Sequence, residues 1–262
     1  MRVDSYLAEH GYAMSRERAK KLIAAGAVVI DGKTLKKPSE EISEGEHTVS
    51  VALEEQYVGR GGKKLEAALK AFGVDVKGYR ALDIGASTGG FTDCLLQNGA
   101  ASVVAVDAGA GQLAQKLLDD SRVTSIEHLN ARNISVSDIG GEQVDLIVMD
   151  VSFISATYII PRFPALLKTG GEAICLVKPQ FEVGRSMLGK GGIVKDPAAH
   201  RFAIDRVVQC AVESGLVPTS LISSPIFGGD GNREFLVHLK RIGEGIVPLD
   251  PSVIRRVTEG NG

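Results

Sequence analysis

From Val58 onward, short apolar runs alternate with amphipathic stretches, and that alternation leaves few folds open. The runs fall at 81–85, 102–107, 124–127, 144–149 and 172–177, with helical patterns near 89–98, 111–119, 154–168 and 197–214. Strands buried on both faces and separated by helices form a parallel, doubly wound sheet. The pattern then changes. Ser220–Ile226 and Glu234–Lys240 read as two strands with no helix between them, joined by Gly228-Gly229-Asp230-Gly231-Asn232. Such a hairpin adds an antiparallel strand to a parallel sheet. The fold class expected is α/β: a Rossmann-like, seven-stranded mixed sheet with its last strand antiparallel.

The first sixty residues have a different rhythm. Val3, Leu7 and Ala8 share a face of a short helix that Gly11 can end. Ser15 is placed to cap a second helix with Ala19, Leu22 and Ile23 as its apolar stripe and Gly26 as its end. Val28–Ile30 runs into Asp31-Gly32, a strong hairpin signal, and Thr48–Val51 closes the module as a strand. The expected organisation is a small α+β domain over 1–52, a linker over 53–59 and the α/β domain over 60–262.

Within the α/β domain, Leu82-Asp83-Ile84-Gly85-Ala86-Ser87-Thr88-Gly89-Gly90-Phe91 is a glycine-rich turn between a strand and a helix. The next apolar run closes on an acid, Asp107. A turn of this kind, with a carboxylate at the tip of the neighbouring strand, reads as a nucleoside-cofactor site. Dinucleotide binding needs glycine where the pyrophosphate meets the backbone, and Ser87 stands there. No Gly-Lys-Ser/Thr follows, so the triphosphate loop is absent too. A phosphate-free cofactor such as S-adenosylmethionine fits better.

Composition narrows the function classes. A net charge of −2 makes no global case for nucleic acid or membrane. No apolar run approaches the roughly 18 residues a spanning helix needs, and the first residues lack a signal peptide's apolar core. A cytoplasmic protein without a membrane partner is expected. Cys94, Cys175 and Cys210 lie far apart with no Cys-x-x-Cys pair, so no metal site is expected. In the front module Arg16, Arg18, Lys20 and Lys21 crowd one helix, while most acids fall at 40–55. Such a basic face is a candidate phosphate-binding surface, which Lys33, Arg60 and Lys63 could extend. With no Trp and few aromatics, any nucleic acid bound there is expected to be recognised by shape and backbone rather than base stacking.

Two further charged residues close apolar runs, Asp150 and Lys178. Strand carboxyl ends converge on the ligand crevice of an open α/β sheet. A charge there is costly to bury without a partner, so Asp150 and Lys178 could pair, with Glu234 joining them. The loop Gly189-Lys190-Gly191-Gly192 could cover substrate or be a plain connection.

The segments GRGGKKL, LDIGASTGGFT, VMDVSFIS, LVKPQFE and NREF resemble the TlyA family over essentially the whole chain. That family joins an S4-type RNA-binding module to an FtsJ-like ribose 2′-O-methyltransferase. The resemblance implies S-adenosylmethionine as cofactor and cytidine riboses of ribosomal RNA as substrate, in the large subunit and in some members also the small. The short N-terminus leans toward the large subunit alone. It implies a tetrad of Lys64, Asp150, Lys178 and Glu234, with Lys178 as general base. The neighbouring Lys63 is a register alternative to Lys64. Asp83, Gly85, Ser87, Gly89, Phe91, Asp107 and Asn130 are the implied cofactor residues. Ribosomal RNA or its subunits would be the partners, with the oligomeric state open. The competing readings are an RNA-binding ribosome assembly factor whose methyltransferase domain has decayed, and a cytolysin.

Overall fold

A computed structural model describes residues 1–260 apart from Met14, Glu44, Glu46, 52–55 and 242–244. The described chain divides into two compact units, Met1–Gln56 and Tyr57–Gly262.

The first unit pairs helix α1 (Val3–Glu9) and helix α2 (Arg16–Ala24) with a small antiparallel sheet of β1 (Val28–Ile30), β2 (Lys33–Thr34) and β3 (Val49–Val51). Ser15 caps α2, its side chain accepting from Arg18 N at 3.2 Å. Asp31 and Gly32 both take positive φ, 51° and 78°, the pair of left-handed residues that a two-residue hairpin turn requires. Val3, Leu7, Leu22, Ile23, Val28 and Ile30 make the core.

One acid in this core escaped the sequence reading. Asp4 is fully buried and receives Arg2 through two bonds of 3.0 Å, with Arg16 at 3.4 Å. Arg2's hydrogen bonds hold the Asp4 carboxyl down to about 2. The folded value lies below the ordinary 3.8, so this contribution to stability is present above 3.8 and lost as pH falls through about 2. Unfolding of the first unit, followed by NMR, is expected to become easier between those pH values, and Asp4→Asn is expected to flatten that dependence.

The second unit is a seven-stranded mixed sheet between helices. Its elements are α3 (Gly61–Phe72), β4 (Arg80–Ile84), α4 (Gly90–Gln97), β5 (Ser102–Val106), α5 (Gln115–Leu118), β6 (Val123–Ile126), β7 (Val144–Met149), α6 (Phe163–Leu166), β8 (Leu167–Val177), α7 (Pro179–Glu182), α8 (Pro197–Glu213), β9 (Leu216–Ser223), β10 (Phe235–Arg241) and α9 (Pro251–Thr258). The strand order is β6-β5-β4-β7-β8-β10-β9. The first five strands are parallel, and β10 runs antiparallel to both β8 and β9. The hairpin therefore folds its second strand inward. One face of the sheet packs on α8 and α9 through Ile204, Val207, Ile254 and Val257. The other packs on α3 and α4 through Leu65, Leu69, Cys94 and Leu95.

Three expectations are corrected. The helix over 154–168 is a string of short turns, Ala156–Tyr158, Ile160–Arg162 and α6. Pro161 and Pro164 lack the N–H groups a continuous helix would need. The helix near 111–119 shrinks to α5, which follows glycines at 109 and 111. The linker over 53–59 ends early. Residues 53–55 lie outside the described residues, but Tyr57 is buried in the core of the second unit and Val58 N donates to Asp93 at 2.8 Å. Helix α9 was not read at all, although Asp250-Pro251 is a capping residue followed by proline at the first helical position.

Candidate active site

The carboxyl ends of β4, β5, β7 and β8 open on one edge of the sheet, and two cavities lie there. The larger, about 370 Å³, is bounded by Gly85, Ser87, Asp107, Asn130 and Asp150, with Val106, Leu129, Ile154 and Ile159 as apolar walls. Two carboxylates line it, and no lysine or arginine does among the described residues. A smaller cavity, about 200 Å³, is reached by Gly85, Ser87, Phe91, Asp150 and Lys178.

The cofactor residues expected from the sequence divide by what they touch. Ser87 takes φ 50° and donates its N–H to Asp107 Oδ2 at 2.8 Å, while Gly109 N donates to Oδ1 at 2.7 Å. Asp107 thus orders the loop around it and lines the larger cavity. Asn130 is exposed and caps the turn at 131–133, its Oδ1 accepting from Arg132 N at 3.1 Å. Three others are supports. Asp83 is fully buried and braces α4, accepting from Thr92 N at 2.9 Å and Thr92 Oγ1 at 2.7 Å, and burial pushes its carboxyl up to about 7. Phe91 is a core residue of α4 with only an edge on the smaller cavity. Gly89 borders neither cavity. It has φ 94°, and a Cβ there would lie 2.2 Å from Leu117 Cδ1. Gly89→Ala is expected to lower stability by about 1–3 kcal/mol through overpacking, read as a drop in Tm.

The four implied catalytic residues meet. Asp150 follows β7 and Lys178 follows β8, with Lys178 Nζ 2.5 Å from Asp150 Oδ1 and donating to Ser152 Oγ at 2.8 Å. Lys64, in the first turn of α3, lies 3.8 Å from Asp150 and 2.6 Å from Glu234, which immediately precedes β10. Lys64 and Glu234 are buried, whereas the side chains of Lys178 and Asp150 keep 12% and 20% exposure at the cavity. The register question has a structural answer: Lys64 points into the cluster and Lys63 is exposed. The result is a chain of alternating charges, Lys178–Asp150–Lys64–Glu234, open to solvent at one end only.

Sequence reasoning missed two residues here. Phe153 stands 91% exposed at the rim of the larger cavity, against Phe181 with ring centroids 5.3 Å apart. An aromatic face is therefore available despite the low aromatic content. Glu182 is buried beneath the same loop. The glycine loop 189–192 is pinned at its base, where Val194 N donates to Asn232 Oδ1 at 2.9 Å.

The expected basic surface is mixed. Arg16 reaches Asp4, Lys20 bonds Glu17 at 2.6 Å, and Lys33 pairs with Glu40. Basic and acidic residues meet rather than occupying opposite faces. Lys21 is exposed, Arg18 half-buried, and Arg60 donates to the Phe227 carbonyl at 2.8 Å.

A doubly wound sheet with an inward antiparallel strand, and a nucleoside-sized cavity facing a lysine–carboxylate cluster, define a Rossmann-like methyltransferase. An S-adenosylmethionine-dependent methyltransferase from Mesorhizobium loti shares the fold at 15% identity, with a TM-score of 0.52 over 70% of this chain and all of that one. The FtsJ-like methyltransferase family matches residues 57–241 and the S4 domain residues 1–47. The 16S/23S rRNA (cytidine-2′-O)-methyltransferase TlyA of Mycobacterium tuberculosis is 42% identical over 99% of this chain and 98% of its own. Hemolysin A of Brachyspira hyodysenteriae is 40% identical over 91% of this chain and 99% of its own. A solved structure from Streptococcus thermophilus, 41% identical, superposes with a TM-score of 0.78 over 99% of this chain and 94% of that one. The chain belongs to the TlyA family. Among its described residues no helix is long and apolar enough to cross a membrane.

Proposed function

We propose that this protein transfers a methyl group from S-adenosylmethionine to the 2′-hydroxyl of a cytidine in ribosomal RNA, in the large subunit and also in the small subunit if both present the site. The observation that carries the reading is the asymmetry of charge between the two cavities. Among the described residues the larger is lined by two carboxylates and no cation, which suits a positively charged nucleoside without phosphate. The smaller adds Lys178 beside Asp150, which places an amine able to take a proton next to a carboxylate that can hold it.

Bound in the larger cavity, S-adenosylmethionine supplies an electrophilic methyl on a cationic sulfur. Asp107 would receive the ribose hydroxyls, and the apolar walls would enclose the adenine. Lys178, acting in its uncharged amine form, takes the proton from the substrate hydroxyl, since a ribose hydroxyl is a weak nucleophile until deprotonated. Asp150 aims Lys178 Nζ and balances the charge it acquires. Lys64 and Glu234, buried behind, hold Asp150 from the far side. Most of the rate then comes from alignment of oxygen, methyl and base. Phe153 offers its face to the base of the target nucleotide. The named activities of the Mycobacterium tuberculosis and Campylobacter jejuni relatives and the S4 match support the ribosomal substrate.

The test is transfer of labelled methyl to purified subunits and to stripped rRNA, with the product mapped as a 2′-O-methyl by its resistance to alkaline cleavage. Label on a cytidine ribose is expected in each subunit that presents the site. Label on a base, or saturable cofactor binding with no transfer to any ribosomal RNA, would sink the proposal.

A further inference from the structure

The loop leaving β7 is more heavily tied than a connection of its length needs. Phe153 takes φ 64°, a conformation that side chains with a Cβ rarely adopt. Its ring is 91% exposed, so burial does not compensate for the strain. Strained residues persist only where their surroundings over-determine them. Three ties do so here, and all come from one short stretch, Lys178 and helix α7. Before Phe153, Ser152 Oγ accepts from Lys178 Nζ at 2.8 Å. At Phe153 itself, the ring meets Phe181 at 5.3 Å. After it, Glu182 takes both remaining contacts: Ser155 Oγ donates to its Oε2 at 2.5 Å and Ala156 N to its Oε1 at 2.7 Å.

Glu182 is only 2% exposed, and burial raises its carboxyl above the usual range while Ser155 and Ala156 oppose that rise. The nearby Arg206 donates to the Glu182 backbone carbonyl at 2.6 Å. The hydrogen bonds of both carboxylate oxygens thus go to the loop, and a buried carboxylate committed in this way defines the position of whatever it holds.

We infer that Glu182 is a positioning residue for methyl transfer. It locks the Phe153 turn so that Ser152 stays on Lys178 and the Phe153 ring stays at the cavity mouth. The inference rests on the reading of Lys178 as the base. Glu182 touches no reacting atom and acts through the loop.

The chain has no tryptophan, so Phe153→Trp adds a single tryptophan at the turn, excited selectively over the five tyrosines, and its signal needs no RNA. Adding Glu182→Ala to that reporter is expected to lower the fluorescence anisotropy and raise acrylamide quenching about twofold. Glu182→Gln, which keeps an acceptor for Ala156 N, is expected to stay near the parent. In the tryptophan-free protein, Glu182→Ala is expected to lower kcat on the order of 10- to 100-fold, as small misplacements do, with the Kd for S-adenosylmethionine by calorimetry changed less than about threefold. In a Phe153→Ala background the same change is expected to cost less than in the parent, since only the Ser152–Lys178 contact then remains to be lost and coupled residues are not additive. Should Glu182→Ala fail to fold, Ser155→Ala removes one of the two ties and is read the same way. Unchanged anisotropy and quenching, or an equal loss of kcat in both backgrounds, overturns the inference. The fluorescence arm decides the positioning even where ribosomal RNA proves to be the wrong substrate.

Discussion

Lys178→Ala is expected to slow methyl transfer by a factor on the order of 10³ while leaving the fold and cofactor affinity nearly unchanged, since a positioned general base contributes typically 10²–10⁴. The effect is large because the other lysine of the cluster cannot stand in for it. That lysine, Lys64, is buried and held at 2.6 Å from Glu234. Lys178→Arg separates two roles. A guanidinium can keep the contact with Asp150, but it cannot accept a proton, so that variant is expected to be about as slow as alanine. Single-turnover transfer to subunits, with calorimetry for S-adenosylmethionine, reads both quantities. Substantial activity in Lys178→Arg would mean that a fixed cation suffices and that the proton leaves by another route.

The second large effect is on stability. Glu234→Ala removes the nearest partner of Lys64, leaving Asp150 at 3.8 Å as its remaining counter-ion. Breaking a buried pair from one side costs about 3–5 kcal/mol, because an uncompensated charge stays inside. Denaturant unfolding is expected to show a loss of that size. Replacing both partners, Lys64→Met with Glu234→Leu, is expected to restore most of the stability and none of the activity. If the double variant were as unstable as the single one, packing around β10 rather than charge would be the cause.

Much of the second unit was legible because its apolar runs are short, buried on both faces and closed by charged residues. Asp150 and Lys178 could be placed on that ground, since strand ends in an open α/β sheet converge. Glu234 was harder, and only the hairpin folding its second strand inward brings it beside Lys64. The segment 154–168 misled because its apolar spacing resembles a helix, while Pro161 and Pro164 deny it the backbone donors. Phe153 and Glu182 were invisible for another reason. A left-handed phenylalanine has no local sequence signature, and the partners of Glu182 lie 26 and 27 residues away. Asp4 hid in the same way, since nothing local in the sequence marks it as the buried partner of Arg2 and Arg16. Gly89 shows a second demand on a glycine of a ligand-binding motif, since a Cβ there would meet Leu117.

The placement of β10 between β8 and β9 also bears on how the protein comes into being. Lys64 and Glu234 are separated by 170 residues. As the chain leaves the ribosome, its first parallel strands can assemble while β8 still presents an open edge and Lys64 still lacks its nearest partner. Contacts this distant in sequence form late, and an unpaired strand edge invites aggregation meanwhile. Completion of the sheet and completion of the charge cluster are thus a single event in biosynthesis. On the proposed mechanism the charge cluster stays incomplete until β10 docks between β8 and β9, and that docking step is where a chaperone has most to protect.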